Sequence, residues 1–428
     1  MEEKKKYLVN RVKTTKEVQN MMIEYYSGLQ TAHQDGKFLA WTFGPIPFEI
    51  MRAMDIRFEH LESYGAYLAA RSGQQRLKEL SEADGYSNDV CSYARLTRGV
   101  AMLHERGETA SIPNVLIVDL PDFLVAIRHC PLQGSVYDYQ KRLLNKPGFC
   151  LDTMPIHSEE DYQESIRYMR RQLEEFIVFL EDLTKTKLNF DRLKEIMGYV
   201  KEGAVIRKRM LNLCKARPAP INTFDHFISL GPAHTQRGRK EAVEFWKRLE
   251  AEVEERVNNK VGVIENERFR LYWHNLPIWF RVGRLSETLA RYGAVLVSAS
   301  YTHEGFYAHE PEKIDPDDPL TSIAREESWL SWLSSDITQG AYLLQKEIED
   351  YSIDGMIMCS HRTCQFVDVG EYDLADLITR KTGVPNVVID ADPTDPAFYS
   401  DAQTETRIQA FMETLESSKR RSAASLQK

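Results

Sequence analysis

Two rhythms of apolar residues alternate along this chain. Short unbroken apolar runs closed by glycine, proline or charged residues predict buried strands. Stretches with an apolar residue every third or fourth position predict helices. Phe38 to Phe43 is a run of the first kind and stops at Gly44-Pro45; Ile56 to Leu61, Pro113 to Leu120 and Gly148 to Asp152 predict three more strands. Residues 14–35 predict a helix, capped at Thr14 or Thr15, with Met21, Met22, Tyr25 and Tyr26 on one face and Gly36 as its stop. Phe48 to Met54 predicts a short second helix. Ser158 before Glu159, Glu160 and Asp161 is an N-terminal capping signal. Ile166, Met169, Leu173, Phe176, Ile177 and Leu180 then recur at helical spacing. Another helix starts at Asp191 and carries Leu193, Ile196, Met197, Val200 and Val205; a third runs from about Lys240 to Val257, after a break at Pro218-Ala219-Pro220. Beyond Gly262 the strand rhythm returns in Arg268 to Trp273, Gly293 to Ser298, Met356 to Cys359 and Asn386 to Asp390. Two long helices fit the span 320–350 and one starts at Glu371. The polar end, Ser417 to Lys428, is expected to fray.

Strands alternating with helices imply parallel sheets with covered faces. The fold class expected is α/β, with two similar Rossmann-like parallel-sheet domains facing a cleft. Residues 1–36 form an N-terminal helical arm, 37–157 the first α/β domain, 158–265 an all-helical insert and 266–428 the second α/β domain. An internal repeat supports two matched halves. Trp41-x-x-x-Pro45-Ile46-x-Phe48 recurs as Trp273-x-x-x-Pro277-Ile278-x-Phe280. The interval from Pro45 to Cys130 nearly equals that from Pro277 to Cys364, and each cysteine follows the third strand of its half. The halves end on strands bearing Asp152 and Asp390.

At 428 residues the chain exceeds one ordinary core. A formal net charge of −9, with no lysine/arginine block long enough to track a phosphate backbone, argues against nucleic acid as partner. No apolar run reaches membrane-spanning length, and Met1 to Lys6 lacks the apolar stretch of a signal peptide, so a cytoplasmic protein is expected. In that setting six cysteines point to metal binding or catalysis before a disulfide framework.

Cys91 lies in Ser87-Asn88-Asp89-Val90-Cys91-Ser92-Tyr93-Ala94-Arg95, where Asn88 or Asp89 can cap a helix and place the thiol in its first turn. Cys130 in Arg128-His129-Cys130-Pro131 and Cys364 in His361-Arg362-Thr363-Cys364 have basic neighbours. A cysteine between strand end and helix start lies where α/β sheets keep their ligands. The separations are long and form no CxxC run, so spacing alone leaves these three as either metal ligands or small core residues. Three thiolates around a 4Fe–4S cluster would leave one iron open for water, sulfide or a substrate oxygen. Cys150, Cys214 and Cys359 read as core.

The segment from Ser87 to Arg95, the strand leading to Cys130, His361-Arg362-Thr363-Cys364 with Gly370-Glu371-Tyr372-Asp373, and Asp390-Ala391-Asp392-Pro393-Thr394-Asp395-Pro396 with Gln403-x-x-x-Arg407-Ile408-x-Ala410-Phe411 together resemble the benzoyl-CoA reductase / 2-hydroxyacyl-CoA dehydratase family. The likeness runs from about Phe38 to Glu416 and is weakest in the helical insert. It implies a 4Fe–4S cluster with one open iron, held by Cys91, Cys130 and Cys364. It also implies a homologous second catalytic subunit, a separate ATP-hydrolysing iron–sulfur activator that feeds in single electrons, and an acyl-CoA substrate reduced at its thioester carbonyl to a ketyl radical anion. The family often has Asn-Arg-x-Cys where this chain has His361-Arg362-Thr363-Cys364. The wording around Trp41 to Pro47 and Asn88 to Arg95 is nearer the reductase branch and its B-type chain. The expected function is therefore ATP-dependent dearomatisation of benzoyl-CoA. The alternatives are a subunit of an (R)-2-hydroxyacyl-CoA dehydratase, a cluster-bearing scaffold subunit without catalysis, and a zinc-dependent or purely structural α/β protein.

Further candidates come from position. Glu62, after the second strand, is expected to face the cleft, either as a proton relay if burial raises its pKa or as a solvated loop carboxylate. His361 and Arg362 are set to polarise the thioester oxygen or bind CoA phosphate, or else to pair with Asp368 or Glu371. The Gly44-Pro45 turn resembles a substrate-approach loop. His303 is given no role, and Trp329 and Trp332 read as helix core.

Overall fold

The computed structural model describes residues 8–112, 116–304 and 310–426. These contain two four-stranded sheets, parallel throughout. The first is built from β1 (Leu39–Phe43), β2 (Arg57–His60), β3 (Phe123–Ile127) and β4 (Gly148–Leu151). The second is built from β5 (Phe269–His274), β6 (Ala294–Ala299), β7 (Gly355–His361) and β8 (Asn386–Ala391). The strand orders are β2-β1-β3-β4 and β6-β5-β7-β8, so the second sheet repeats the first strand for strand. In each, the chain starts centrally, steps to one side, then crosses back to the other. That reversal opens a crevice at the carboxyl ends of β1 and β3, and of β5 and β7, where open α/β sheets bind ligands.

The central strands are apolar on both faces because both are covered. β1, β3 and β7 are buried end to end, whereas the outer strands β4 and β8 are mostly half-buried. Alternate residues of β1 and β3 serve different cores. Leu39, Trp41, Phe43, Leu124 and Ala126 join a core that continues through Trp273, Met356 and Ile389, so the two sheets share one apolar interior. Ala40, Phe123, Val125 and Ile127 face a second core filled by the helices Glu159–Thr184 and Phe190–Leu213.

The helices between β4 and β5 begin where their caps dictate. Ser158 accepts the Asp161 amide and Asn189 accepts those of Asp191 and Arg192. The stretch after Pro220 holds a helix that periodicity did not reveal, Thr223–Thr235. It is buried on nearly all sides and so carries no amphipathic signal. The helix Pro319–Ser335 leaves the second sheet and packs on the first sheet's outer core, against Glu159–Thr184. Ser165 and Ser328 hydroxyls meet there at 2.9 Å, and Arg170 pairs with Asp318 at 2.7 Å.

Two expected segments differ. The strand expected over Pro113 to Leu120 is not in the sheet. Residues 113–115 lie outside the described residues, and 116–120 run free of any ladder, the third strand being β3. Side chains take that segment's carbonyls instead. Tyr64 Oη donates to Leu116 O at 2.7 Å, Gln30 Nε2 to Ile117 O at 2.9 Å and Trp41 Nε1 to Asp119 O at 3.0 Å. Pro121, with no N–H, separates it from the ladder. The end expected to fray is helical instead: Asp401–Leu426 is one helix. Lys419 pins it, donating to Arg268 O at 2.6 Å and pairing with Asp354 at 2.9 Å. No helix among the described residues is long and apolar enough to cross a membrane.

One buried ion cluster locks the halves together. Asp395, just past β8, pairs with Lys78 and, at 2.7 Å, with Arg95, both from helices of the first half. All three are buried. Burial alone would push the Asp395 carboxyl up; Lys78, the Ala397 amide and Arg95 outweigh it and hold the carboxyl below its usual range. Removing the acid leaves Lys78 dry and without this partner, and leaves Arg95 with Glu82, 2.9 Å away, as its ion partner. Asp395→Ala is expected to destabilise the chain by about 3–5 kcal/mol in urea denaturation at neutral pH. Because the folded pKa is lowered, the wild-type contribution is present above the ordinary carboxylate range and fades as pH falls through it. The stability gap between the two proteins should therefore shrink in acid; a gap independent of pH would reject the assignment.

Candidate functional site

The cysteines at the two crevices are placed by the same local device. Cys130 follows β3 and is the N-cap of the helix Pro131–Leu144; Cys364 follows β7 and begins the short turn of helix Gln365–Asp368. Cys91 is the N-cap of Ser92–Arg106, one position before the first-turn location expected. At Cys130 the cap is complete. Pro131 opens the helix, the sulfur takes the Gln133 amide, and the Cys130 amide donates to Gln133 Oε1 at 3.1 Å. The amides of Ala94 and Val367, each three residues on, act on the other two sulfurs in the same sense.

These three half-buried thiols lie within one another's electrostatic reach across the two sheets. Burial is the main influence on each and raises its pKa, taking Cys364 up to about 12. Next among the groups that raise Cys91 is Cys364, with Asp392 and Cys130 following; Cys364 in turn feels Cys130, Asp392 and Asp368. The sequence separation is large, so this mutual influence reflects the fold alone. The expected help from basic neighbours does not materialise. Arg362 is turned outward onto Asp390, not onto Asp368 or Glu371, and Arg128 lies 3.6 Å from Asp152. His129 is buried, which drives its pKa down to about 4, and its Nε2 meets Glu327 at 3.0 Å. Burial also raises the Glu327 carboxyl, so both partners are driven toward their neutral forms and the pair offers no positive charge to Cys130.

Glu62 faces the same space. It lies in the first turn of the helix Leu61–Ala70, after β2. Its Oε1 accepts the Gly44 amide at 2.9 Å and Gln133 Nε2 at 3.3 Å; its Oε2 lies 3.3 Å from His60 Nε2. The Gly44-Pro45 turn, Glu62 and Cys130 thus form one assembly at the first crevice. Tyr301, half-buried, lies within the field of this assembly from the second half. It sits on a single π turn, Ser300–Glu304, and after burial its hydroxyl is raised by Glu62 and Cys364 together. Tyr93, two residues past Cys91, accepts Trp279 Nε1 at 2.6 Å.

His361 is placed differently from its expected role. It is fully buried at the end of β7, its Nε2 donates to Leu276 O at 2.8 Å, and Nδ1 is enclosed without a partner. Burial lowers its pKa, so the ring is neutral and its one N–H is already used. His303 packs at 5.4 Å from His226; Trp329 is buried and Trp332 partly buried. Cys214 and Cys359 lie in the core, while Cys150 is half-buried on edge strand β4.

Gln133, Tyr301, Thr363 and Asp392 are residues of this site that sequence reasoning passed over. Gln133 had a signal, the capping-box interval from Cys130. Tyr301 had none, because its π turn follows no period.

Among the described residues, no three His, Cys, Asp or Glu side chains stand close enough to hold a single metal ion. A four-iron cluster is larger than an ion and holds its thiolates further apart. The donor set fits such a group in kind: three sulfurs within each other's field, backbone amides directed at them, and a carboxyl and a tyrosine alongside.

The chain matches the family model described as 2-hydroxyglutaryl-CoA dehydratase, D-component, over residues 45–415. It is 27% identical to the (R)-2-hydroxyisocaproyl-CoA dehydratase alpha subunit of Clostridioides difficile, covering 94% of this chain and 96% of that one. It is 26% identical to the (R)-phenyllactyl-CoA dehydratase alpha subunit of Clostridium sporogenes, covering 90% and 91%. It is 28% identical to the B-type chain of benzoyl-CoA reductase from Thauera aromatica, covering 81% of each.

Gly44 is the backbone pivot of the site. Its φ is +81°, and a Cβ there would stand 2.8 Å from both Gln133 Nε2 and Ile127 Cγ2. Gly44→Ala is expected to cost about 1–3 kcal/mol in chemical denaturation, and to displace Glu62 by disturbing the amide and the Gln133 side chain that hold it. Unaltered stability would mean that the turn accommodates a side chain.

Proposed function

We propose that this chain, which belongs to the 2-hydroxyglutaryl-CoA dehydratase D-component family, is the cluster-holding catalytic subunit of an enzyme that activates an acyl-CoA thioester by single-electron reduction. The observation that supports the reading is that Cys91, Cys130 and Cys364, half-buried and drawn from both halves, lie within reach of one another's charge, with Glu62 acting on Cys130. These three cysteines would hold a 4Fe–4S cluster, leaving one iron open. Bound there, the cluster supplies low-potential electrons one at a time, which is what forming a ketyl radical anion from a thioester requires.

The chain's own residues do the rest. Glu62 is held at the crevice by Gly44 and Gln133, which fixes one carboxyl oxygen and leaves the other toward His60. In this position it is assigned proton transfer to or from the substrate. Tyr301, half-buried and within the field of both Glu62 and Cys364, is suited to orient the thioester. The Gly44-Pro45 turn lines the approach. Arg362, about half exposed on the rim, is suited to a CoA phosphate despite its pairing with Asp390. His361, with its N–H committed to Leu276, supports the loop after β5 and leaves polarisation of the thioester to other groups.

The substrate assigned is benzoyl-CoA or a related aromatic acyl-CoA, reduced in the ring. The likeness to a benzoyl-CoA reductase chain favours this. A second reading, elimination of water from an (R)-2-hydroxyacyl-CoA, is favoured by the fuller coverage of the dehydratase alpha subunits. In either case the partners assigned are a homologous second catalytic subunit, supported by the naming of the relatives as subunits, and an ATP-hydrolysing iron–sulfur activator to deliver the single electrons the reaction needs.

Anaerobic purification with the partner subunit should give a brown protein absorbing broadly near 400 nm. With activator and ATP, benzoyl-CoA should yield a cyclic diene, and Cys364→Ser should lower turnover by at least a hundredfold. A colourless protein carrying zinc would reject the cluster. Elimination from a 2-hydroxyacyl-CoA with no ring-reduced product would transfer the assignment to the second reading.

A further inference from the structure

Cys91 and Cys364 belong to different halves of the chain, yet their immediate neighbours are hydrogen-bonded to each other. The Ser92 amide, the first of its helix, donates to Thr363 Oγ1 at 3.2 Å. The Thr363 hydroxyl donates to Asp392 Oδ2. Asp392 Oδ1 accepts the Thr394 amide at 2.9 Å and the Asp395 amide at 2.8 Å. Ser92, Thr363 and Asp392 are all buried. A hydroxyl has one proton, and the Ser92 amide can only donate, so the direction of this chain of bonds is fixed. Asp392 accepts from Thr363, and Thr363 accepts from Ser92.

We propose that Thr363 and Asp392 are positioning residues that set the separation of Cys91 and Cys364 across the two sheets. Thr363 adjoins Cys364, and Ser92 adjoins Cys91. One hydroxyl therefore ties the start of the Cys91 helix to the loop that carries the other sulfur. Asp392 orients that hydroxyl, and Asp392 is itself fixed by the turn that leads into the Asp395 clamp on Lys78 and Arg95. Threonine suits the task better than a charged residue, since it both accepts and donates while adding no charge beside the thiols. The inference rests on reading the two cysteines as parts of one site, but the spacing itself is measurable without any cluster.

The test uses the full chain, iron-free and reduced. Dibromobimane joins two thiols only when they lie near one another, and the bridged Cys91–Cys364 peptide can be quantified by mass spectrometry. Wild type should give this product readily. Thr363→Val, equal in shape but unable to bond, should lower its yield at least fivefold, and Thr363→Ser should restore it. The melting temperatures of the three proteins should stay within a few degrees, which separates a positioning role from general loss of structure. A wild-type yield in Thr363→Val would overturn the proposal. If that variant does not fold, Asp392→Asn is the measure: it keeps the threonine and changes only its acceptor. A fall of about twofold is expected, and an unchanged yield would again overturn the proposal. Loss of yield in Thr363→Val while the wild type binds no iron would uphold the positioning role and reject the cluster.

Discussion

Three half-buried thiols are brought within one another's field by segments of chain that are remote in sequence, and Arg128, His129 and Arg362 are each turned to a carboxylate and not to the sulfurs. Much of the architecture follows from that constraint. A buried thiol resists ionisation, and here carboxyls from Asp392, Asp368 and Glu62 add to the resistance. What opposes it is backbone: amides at the starts of helices, fixed in direction by the fold. A cysteine at a helix cap meets partial positive charge with no ionic side chain, which would itself need a partner in the interior.

The duplicated sheet supplies the places. In an open parallel sheet the reversal of strand order leaves a gap between neighbouring crossovers. Two such sheets with the same order present two gaps, and each receives one cysteine, after β3 and after β7. The third, Cys91, comes from a helix that no strand directly precedes. It depends on the interface instead, through the contact between Ser92 and Thr363 and the ion cluster at Asp395. Both of these contacts join the halves beside Cys91.

The fold was legible wherever one rule governed a segment. Seven of the eight strands were visible as short apolar runs, because central parallel strands are buried on both faces. Ser158 announced its helix through a cap. The failures have physical causes. Leu116 to Leu120 has strand composition, but its carbonyls are taken by Tyr64, Gln30 and Trp41, a competition between side chain and ladder that no local pattern records. Thr223–Thr235 is buried all round and so shows no stripe. Within the site, cysteine next to helix start was readable, as was Glu62 after its strand. The effects of the basic neighbours were not. Whether Arg362 faces the thiols or Asp390, and whether His129 is charged, is decided by Asp390 and Glu327, residues distant in sequence.

The helix Pro319–Ser335 carries a broader implication. It is encoded between β6 and β7, yet it completes the outer core of the other sheet and meets His129 through Glu327. The present chain cannot be cut at the midpoint without stripping one half of a wall and leaving the other with an orphaned apolar helix. Like two rooms with a common wall, the sheets of matching order each close their interior with material from the other.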